Sequence, residues 1–187
     1  MKSVKTKQKF AKSRNVWNNQ SMKQTSITQI IATNGVIGAL YIVLTLVLAP
    51  ISFGPIQFRV AECLTILPIF YPFAFIGLTI GCLISNALGG AILADILLGS
   101  LATLVSALLT AKIKKIPWAM FPPIIINAFV VPLSWFIFST DAAYWINVLT
   151  VGAGQAAIIF GLGIPLFFVF RKYLKNTAFE NDANKSE

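Results

Sequence analysis

Long uncharged apolar stretches constrain what this chain can fold into more than any other feature of its sequence. Residues 27–49 contain no charged side chain and are followed at once by Pro50. As a helix, a stretch of this length crosses a hydrocarbon core of about 30 Å. Hydrophobic residues make up 57% of the chain and charged residues 11%, too few to cover a soluble domain of this size. We therefore expect an all-α, polytopic membrane protein.

Prolines, paired glycines and charged runs divide the remaining apolar sequence. The boundaries are a Pro/Gly loop at 50–57, Tyr71-Pro72, Gly89-Gly90, a basic run at 112–115 and a polar turn at 139–143. The second segment is short and carries an internal proline, so we expect it to be tilted, kinked or partly buried within the bundle. These boundaries predict a six-helix bundle with spans at about 27–49, 58–71, 73–88, 91–111, 117–138 and 144–170.

Lysine and arginine are concentrated in the two tails and in one connection between the predicted spans. They cluster in residues 1–26, at 112–115 and at 171–175, whereas the alternate loops contain none. A six-span chain places all three clusters on one side, which the positive-inside rule assigns to the cytoplasm. The prediction is a multi-pass cell-membrane protein with both termini cytoplasmic, divided into a basic tail (1–26), a membrane domain (27–170) and a second tail (171–187).

The basic tail at 1–26 has two readings. A run of positive charge can bind nucleic acid, but beside a spanning helix it is more typical of an anchor that faces anionic lipid. We therefore expect the bilayer, and no nucleic acid, as its partner.

Two charged residues interrupt the apolar sequence directly after the loop at 50–57. Arg59 and Glu62 are three positions apart and so share one face of a helix. An ionisable group at membrane depth costs roughly 2.5–3.5 kcal/mol on insertion scales. Such groups either line a cavity or neutralise each other, and the sequence leaves both explanations open.

Further polar residues converge on the half of the predicted bundle that faces outward. Convergence of this kind is what a small-molecule pocket needs, namely an apolar body with a few placed polar groups. Each residue also has a structural alternative, because an acid can cap the start of a helix and amides can hydrogen-bond between helices. Besides the Arg59–Glu62 pair, this set contains Asn86, Asp95, Asn127 and Gln155.

The chain lacks the residues that several classes of enzyme need. The chain has no histidine, which excludes a Ser-His pair and a zinc-histidine site, and it has no P-loop motif. Its two cysteines, Cys63 and Cys82, fall in apolar runs and are typical of small core residues. We expect no catalytic residues, no metal and no cofactor.

Small residues recur on the first predicted span. Gly35 and Ala39 have the small-xxx-small spacing that lets a second helix approach closely. The spacing fits packing inside this bundle, or docking onto a separate membrane protein.

The chain resembles the QueT family, among the substrate-binding S components of energy-coupling-factor (ECF) transporters. The most specific stretches are Gln57–Glu62 and Asp95–Thr103. The resemblance also rests on Ala39-Leu-Tyr41, Pro50-Ile-Ser-Phe-Gly-Pro-Ile-Gln-Phe-Arg-Val-Ala-Glu62, Gly77-x-x-x-Gly81-Cys-Leu-Ile-Ser-Asn86 and Gly152-Ala-Gly-Gln155.

The resemblance implies a six-helix subunit that captures a queuosine precursor, a 7-deazaguanine, outside the cell. Its face at Gly35 and Ala39 would dock onto a transmembrane coupling subunit, and two ATPase subunits on separate chains would supply the energy. A carboxylate accepts both adjacent N–H groups of a guanine-like edge. Glu62 or Asp95 is expected in this role, with the other acid pairing an aminomethyl cation. The ring carbonyl would be read by Asn86, Asn127 or Gln155, and the base would stack on Phe53, Phe58 or Trp145.

Two other functions compete with this one. The chain could be an S component for a different vitamin-like molecule. It could also be a membrane scaffold whose polar residues only hold helices together.

Overall fold

A computed structural model describes residues 26–54, 56–113, 116–138 and 143–183 of the chain. The basic tail before residue 26, Asp141 in the predicted outer turn and two lysines of the 112–115 run lie outside the described residues. The helices are α1 (Ile27–Val47), α2 (Ala49–Ser52), a 3₁₀ helix (Val60–Ile69), α3 (Ala74–Leu88), α4 (Leu93–Lys112), α5 (Ile116–Ala119), α6 (Phe121–Phe138), α7 (Tyr144–Ile158), a π-helical segment (Ile159–Gly163) and α8 (Ile164–Ala183).

The 3₁₀ helix is the centre of the bundle. Every residue from Ala61 to Pro68 is buried, and α1, α3, α4 and α7 all pack against this helix. A 3₁₀ helix rises about 2 Å per residue, so these ten residues extend over roughly 20 Å. The sequence-based expectation that this segment is short and buried within the bundle is confirmed. The internal Pro68 removes one backbone donor, and the enclosing helices keep the segment out of water.

The outer helices follow one another around this centre. Helix α1 packs on α3, α3 on α4, α4 on α6, and α6 on α7. A buried apolar cluster joins α1, the 3₁₀ helix, α3, α4 and the end of α7 through Tyr41, Leu64, Leu78, Ala107 and Ile158. These helices thus pack around a central segment that begins after Arg59 and carries Glu62.

Glycines bring α1 and α3 into close contact. A Cβ atom on Gly77 would lie 2.5 Å from the backbone oxygen of Asn34, and one on Gly81 would lie 2.8 Å from Tyr41 Cβ. The Gly77 amide donates a hydrogen bond of 2.7 Å to Asn34 Oδ1. The two backbones therefore meet with no room for side chains, as small residues allow in membrane helices.

The last helical stretch is longer than predicted. We expected the sixth span to end at residue 170, but helix continues through the π-helical segment and on to Ala183. Arg171 and Lys172 end the apolar sequence without ending the helix, because both residue types are good helix formers.

Four helical stretches are long and apolar enough to cross a membrane. They are Ile27–Val47, Leu93–Lys112, Phe121–Phe138 and Tyr144–Tyr173. The 3₁₀ helix and α3 are apolar but shorter. The polytopic, all-helical class is confirmed for the described residues, and the count of six spans with cytoplasmic termini stays a prediction.

Candidate functional site

The loop before the 3₁₀ helix directs two charged residues into the bundle. Gln57 has a positive φ of 48°, and the Arg59 amide donates back to the Gln57 carbonyl at 2.8 Å. This tight turn brings the start of the helix inside the ring of outer helices. As a result, Arg59 is 6% exposed and Glu62 only 1% exposed.

The Glu62 carboxylate is held on one side only. The Tyr41 hydroxyl of α1 donates a hydrogen bond of 2.5 Å to Glu62 Oε1. Glu62 Oε2 has no hydrogen-bond partner. The Asn127 side chain of α6 approaches the same carboxylate, yet its Nδ2 forms no hydrogen bond either. The Asn127 amide therefore stabilises the carboxylate at close range without completing a full hydrogen bond to it.

The Arg59 guanidinium is also only partly satisfied. Its Nη1 donates to Cys82 Sγ of α3 at 3.7 Å, and its Cζ lies 5.5 Å from the centre of the Phe53 ring. Arg59 Nε has no partner. Among the described residues, neither a hydrogen bond nor an ion pair joins Arg59 to Glu62. The two charges attract each other through space without the direct pairing that the structural alternative requires.

Asn86 extends this group along α3. Its Nδ2 donates to the backbone oxygen of Asp95 at 3.2 Å and to Cys82 Sγ at 3.6 Å. These two bonds orient the amide, and Asn86 Oδ1 remains without a partner. Gln155 lies on α7, is buried, and likewise has no partner for its Oε1.

Unsatisfied buried atoms mark most of the residues predicted from the sequence. Leaving a buried polar atom unpaired costs about 1–3 kcal/mol, so each such atom calls for an explanation. Seven buried side-chain atoms in the described ranges have no partner, and five of them belong to predicted site residues. We use the name polar cluster for the five predicted residues that share this property: Arg59, Glu62, Asn86, Asn127 and, on α7, Gln155.

Phe53 lies at the edge of the polar cluster. Besides stacking over Arg59, its ring fills the space beside Gly89, where a Cβ atom would collide with it. Position 89 therefore has to be free of a side chain for Phe53 to reach the guanidinium.

Two predicted residues are placed differently. The Asp95 carboxylate accepts hydrogen bonds from Ser134 Oγ and, at 2.7 Å, from Trp135 Nε1, so both oxygens are occupied by α6. Asp95 lies in the first turn of α4, where the helix dipole favours an acid, but it makes no side-chain bond to the N-cap. Trp145 is 70% exposed and packs edge to face on Tyr144, outside the polar cluster.

Three residues of the site were not predicted from the sequence. Tyr41 and Cys82 hold members of the polar cluster, and Ser52 is fully buried with an unpaired hydroxyl. Tyrosine and cysteine do not stand out in an apolar helix, although Tyr41 lies in a stretch that carries the family resemblance. Ser52 also lies in such a stretch, the one from Pro50 to Glu62, but nothing in its local sequence indicates that it is buried.

The small residues of α1 divide between two faces. Gly38 faces Gly77, and a Cβ atom there would lie 3.2 Å from the Gly77 oxygen. A Cβ atom on Gly35 would meet nothing within 4 Å, and Ala39 is exposed. Packing within the bundle therefore uses Gly38, while the predicted docking residues lie on the open face.

The fold and the site together define a class. The chain is a polytopic helical membrane protein whose interior holds a partly satisfied group of charged and amide side chains. The family described as "QueT transporter" matches residues 31–172, and the chain belongs to that family. The resemblance stated from the sequence is thereby confirmed, and the assignment is to transporters and not to enzymes.

A curated relative agrees with the family assignment. The chain is 45% identical over 82 residues to "Queuosine precursor transporter QueT" of Lactococcus lactis subsp. cremoris (strain MG1363). The match covers 43% of this chain and about half, 48%, of the relative. No solved structure matches the chain.

Proposed function

We propose that this chain is the substrate-binding S component of an ATP-driven ECF importer for a queuosine precursor, a 7-deazaguanine. Family membership and the name of the relative support a queuosine precursor as the substrate. The observation that carries the proposal is the polar cluster itself. Its five unpaired atoms are buried among apolar helices, and a bound polar molecule would complete their hydrogen bonds.

The unpaired atoms of the polar cluster complement a guanine-like edge. Glu62 Oε2 and Asn86 Oδ1 can only accept, and Arg59 Nε can only donate. The amides of Asn127 and Gln155 can rotate to offer either atom. A 7-deazaguanine presents adjacent N–H donors beside a carbonyl oxygen. We assign the N–H donors to Glu62 and the carbonyl to Arg59 or Asn127.

The remaining predicted residues take supporting roles in this proposal. Phe53, whose ring centre lies 5.5 Å from Arg59 Cζ, is assigned as a stacking surface for the base. Asp95 holds α4 to α6, because its two oxygens are already bonded. Trp145 serves as an interfacial anchor, as its exposure favours.

Calorimetry on the detergent-purified protein tests the ligand assignment. Glu62→Gln removes one of the two acceptors that the paired N–H groups need, so 7-deazaguanine affinity should fall about a hundredfold or more. Thr110→Val is the matched control, because Thr110 is fully buried but bonds the Ala119 carbonyl away from the polar cluster. An unchanged affinity in Glu62→Gln would remove Glu62 from the site.

Membrane topology is the second part of the proposal. We propose six spans, with both termini and the basic run at 112–115 in the cytoplasm of the cell. Ile51 and Tyr173 are both exposed, so reactivity of a cysteine at either position depends on sidedness. In intact cells, a membrane-impermeant maleimide should label Ile51→Cys and spare Tyr173→Cys. Labelling of both, or of Tyr173→Cys alone, would contradict the orientation.

The open face of α1 at Gly35 and Ala39 is proposed to dock onto the transmembrane coupling subunit. The wild-type chain should co-purify with that subunit and two ATPases. Gly35→Leu or Ala39→Leu should abolish co-purification while 7-deazaguanine binding persists, because neither residue contacts the polar cluster. Ala87→Leu, at an exposed position of α3, is the matched control. A membrane scaffold would bring down none of these subunits and bind no deazaguanine.

A further inference from the structure

We infer that Cys82 is a positioning residue of the substrate site, which fixes the side chains of Arg59 and Asn86 so that one defined atom of each faces the substrate. The inference rests on the proposed function for the identity of the substrate. The contacts that carry it are independent of any ligand.

The Cys82 thiol receives two donors from different parts of the bundle. Its Sγ lies 3.7 Å from Arg59 Nη1 of the 3₁₀ helix segment and 3.6 Å from Asn86 Nδ2, one turn further along α3. Cys82 is completely buried. One sulfur atom therefore links a buried cation to a buried amide.

These two contacts determine which atoms remain free. With Nη1 on the sulfur and the guanidinium over the Phe53 ring, Arg59 keeps Nε unpaired. With Nδ2 on the sulfur and on the Asp95 carbonyl, Asn86 keeps Oδ1 unpaired. Both residues are more than nine-tenths buried, and the contacts to the sulfur fix the directions of the Arg59 Nε donor and the Asn86 Oδ1 acceptor.

If Cys82 only fills space, its substitution by serine and by alanine should have different effects from those expected for an acceptor. In a purely apolar setting, Cys→Ser buries a new hydroxyl and should be worse than Cys→Ala. If the sulfur acts as an acceptor, serine retains that function and alanine loses it. Serine can replace it only in part, because an N–H···O bond is about 2.9 Å long and the two donors would have to move inward by at least about 0.7–0.8 Å.

Nuclear magnetic resonance of isotope-labelled arginine tests the contact without ligand. The chain has three arginines, Arg14, Arg59 and Arg171, and Arg59→Lys identifies the signal of the buried one. A guanidinium held at Nη1 gives sharp, resolved NηH signals. We expect Cys82→Ala to broaden them, Cys82→Ser to retain them, and Cys63→Ala to leave them unchanged. Cys63 is the matched control, because it is the other buried cysteine.

Calorimetry with 7-deazaguanine tests the consequence for binding. The affinity should decrease from wild type to Cys82→Ser to Cys82→Ala, with a loss of about tenfold for alanine and none for Cys63→Ala. An Arg59 signal unaffected by Cys82→Ala, or an affinity lower for serine than for alanine, overturns the inference. If the signal responds but the wild type binds no 7-deazaguanine, the proposed ligand fails and the positioning contact stands.

Discussion

Replacing Tyr41 by phenylalanine removes the atom that fixes the Glu62 carboxylate. Tyr41 is fully buried in α1, and its hydroxyl donates to Glu62 Oε1 at 2.5 Å. Phenylalanine keeps the ring and its apolar contacts with the core, so the change is confined to one hydrogen bond. Tyr41→Phe removes the hydrogen bond that Glu62 Oε1 accepts from this hydroxyl. Oε2, which is already unpaired, has no bond that could compensate for the loss.

The expected loss follows from the charge and burial of the acceptor. Hydrogen bonds between membrane helices contribute about 0.6 kcal/mol on average. A hydrogen bond to a charged group contributes about 1.5–3 kcal/mol, and an acceptor left buried and unpaired adds to the cost of losing it. We therefore expect Tyr41→Phe to lower the free energy of unfolding by about 1.5–3 kcal/mol, well above the membrane average.

Reversible unfolding in mixed detergent micelles measures this difference. The matched control is Tyr144→Phe, because the Tyr144 hydroxyl is exposed and its bond to the Phe129 carbonyl is long, at 3.4 Å. The control should change the free energy of unfolding by less than about 0.5 kcal/mol, as surface substitutions do. A Tyr41→Phe loss no larger than that of the control would show that Glu62 is not a buried, tethered anion, and the polar cluster would lose its central acceptor.

Two further substitutions test the helix contacts around the polar cluster. Gly77→Ala should destabilise the bundle by about 1–3 kcal/mol, because its Cβ atom would press on the Asn34 backbone, and thermal unfolding measures this. Asp95→Asn should lower thermal stability, since its amide would offer a donor where Ser134 and Trp135 also donate. Its affinity for 7-deazaguanine should stay within about threefold of wild type, since a role in substrate binding would cost tenfold or more.

The positions of the helices were largely predictable, because membrane-spanning segments are recognised in a sequence by their lack of charged residues. The bounds of α4 and α6 differ from the predicted spans by only a few residues. The 3₁₀ character of the central helix was not predictable, since a segment that is apolar all round shows no period. The length of the last helix was missed for a different reason. Charged residues end burial in lipid, but they do not end hydrogen bonding along a helix.

The sequence predicted most of the residues that belong to the candidate site, but not what each of their side chains faces. A polar residue in an apolar background is visible from the sequence, and five of the predicted residues carry an unpaired buried atom. The sequence does not show what each one faces. Asp95 turns toward Ser134 and Trp135, 39 and 40 positions away, and no local pattern links them. Cys82 was expected to be a packing residue, since a thiol reveals its role as an acceptor only once donors lie beside it.

Partial tethering gives the polar cluster its properties. A polar group with every bond inside the protein cannot bind a substrate, and one with none has no fixed direction. Glu62, Arg59 and Asn86 each have some bonds to the protein and one atom left over. The tethers come from α1 and α3, so a substrate that completes these bonds would join the 3₁₀ helix to both.

Helix α1 offers the shortest physical route between the polar cluster and the proposed docking face. Its inner side carries Tyr41, which bonds Glu62, and its outer side carries Gly35 and Ala39 within two turns of that residue. Helix α1 contacts α3 closely at Gly77 and Gly81, which have no side chains. A displacement of Tyr41 therefore cannot be accommodated by side-chain movement at these two positions. Under the proposed function, a substrate that contacts Glu62 would act on α1 through the Tyr41 hydroxyl. A coupling subunit seated on the open face would sense a displacement of α1 directly.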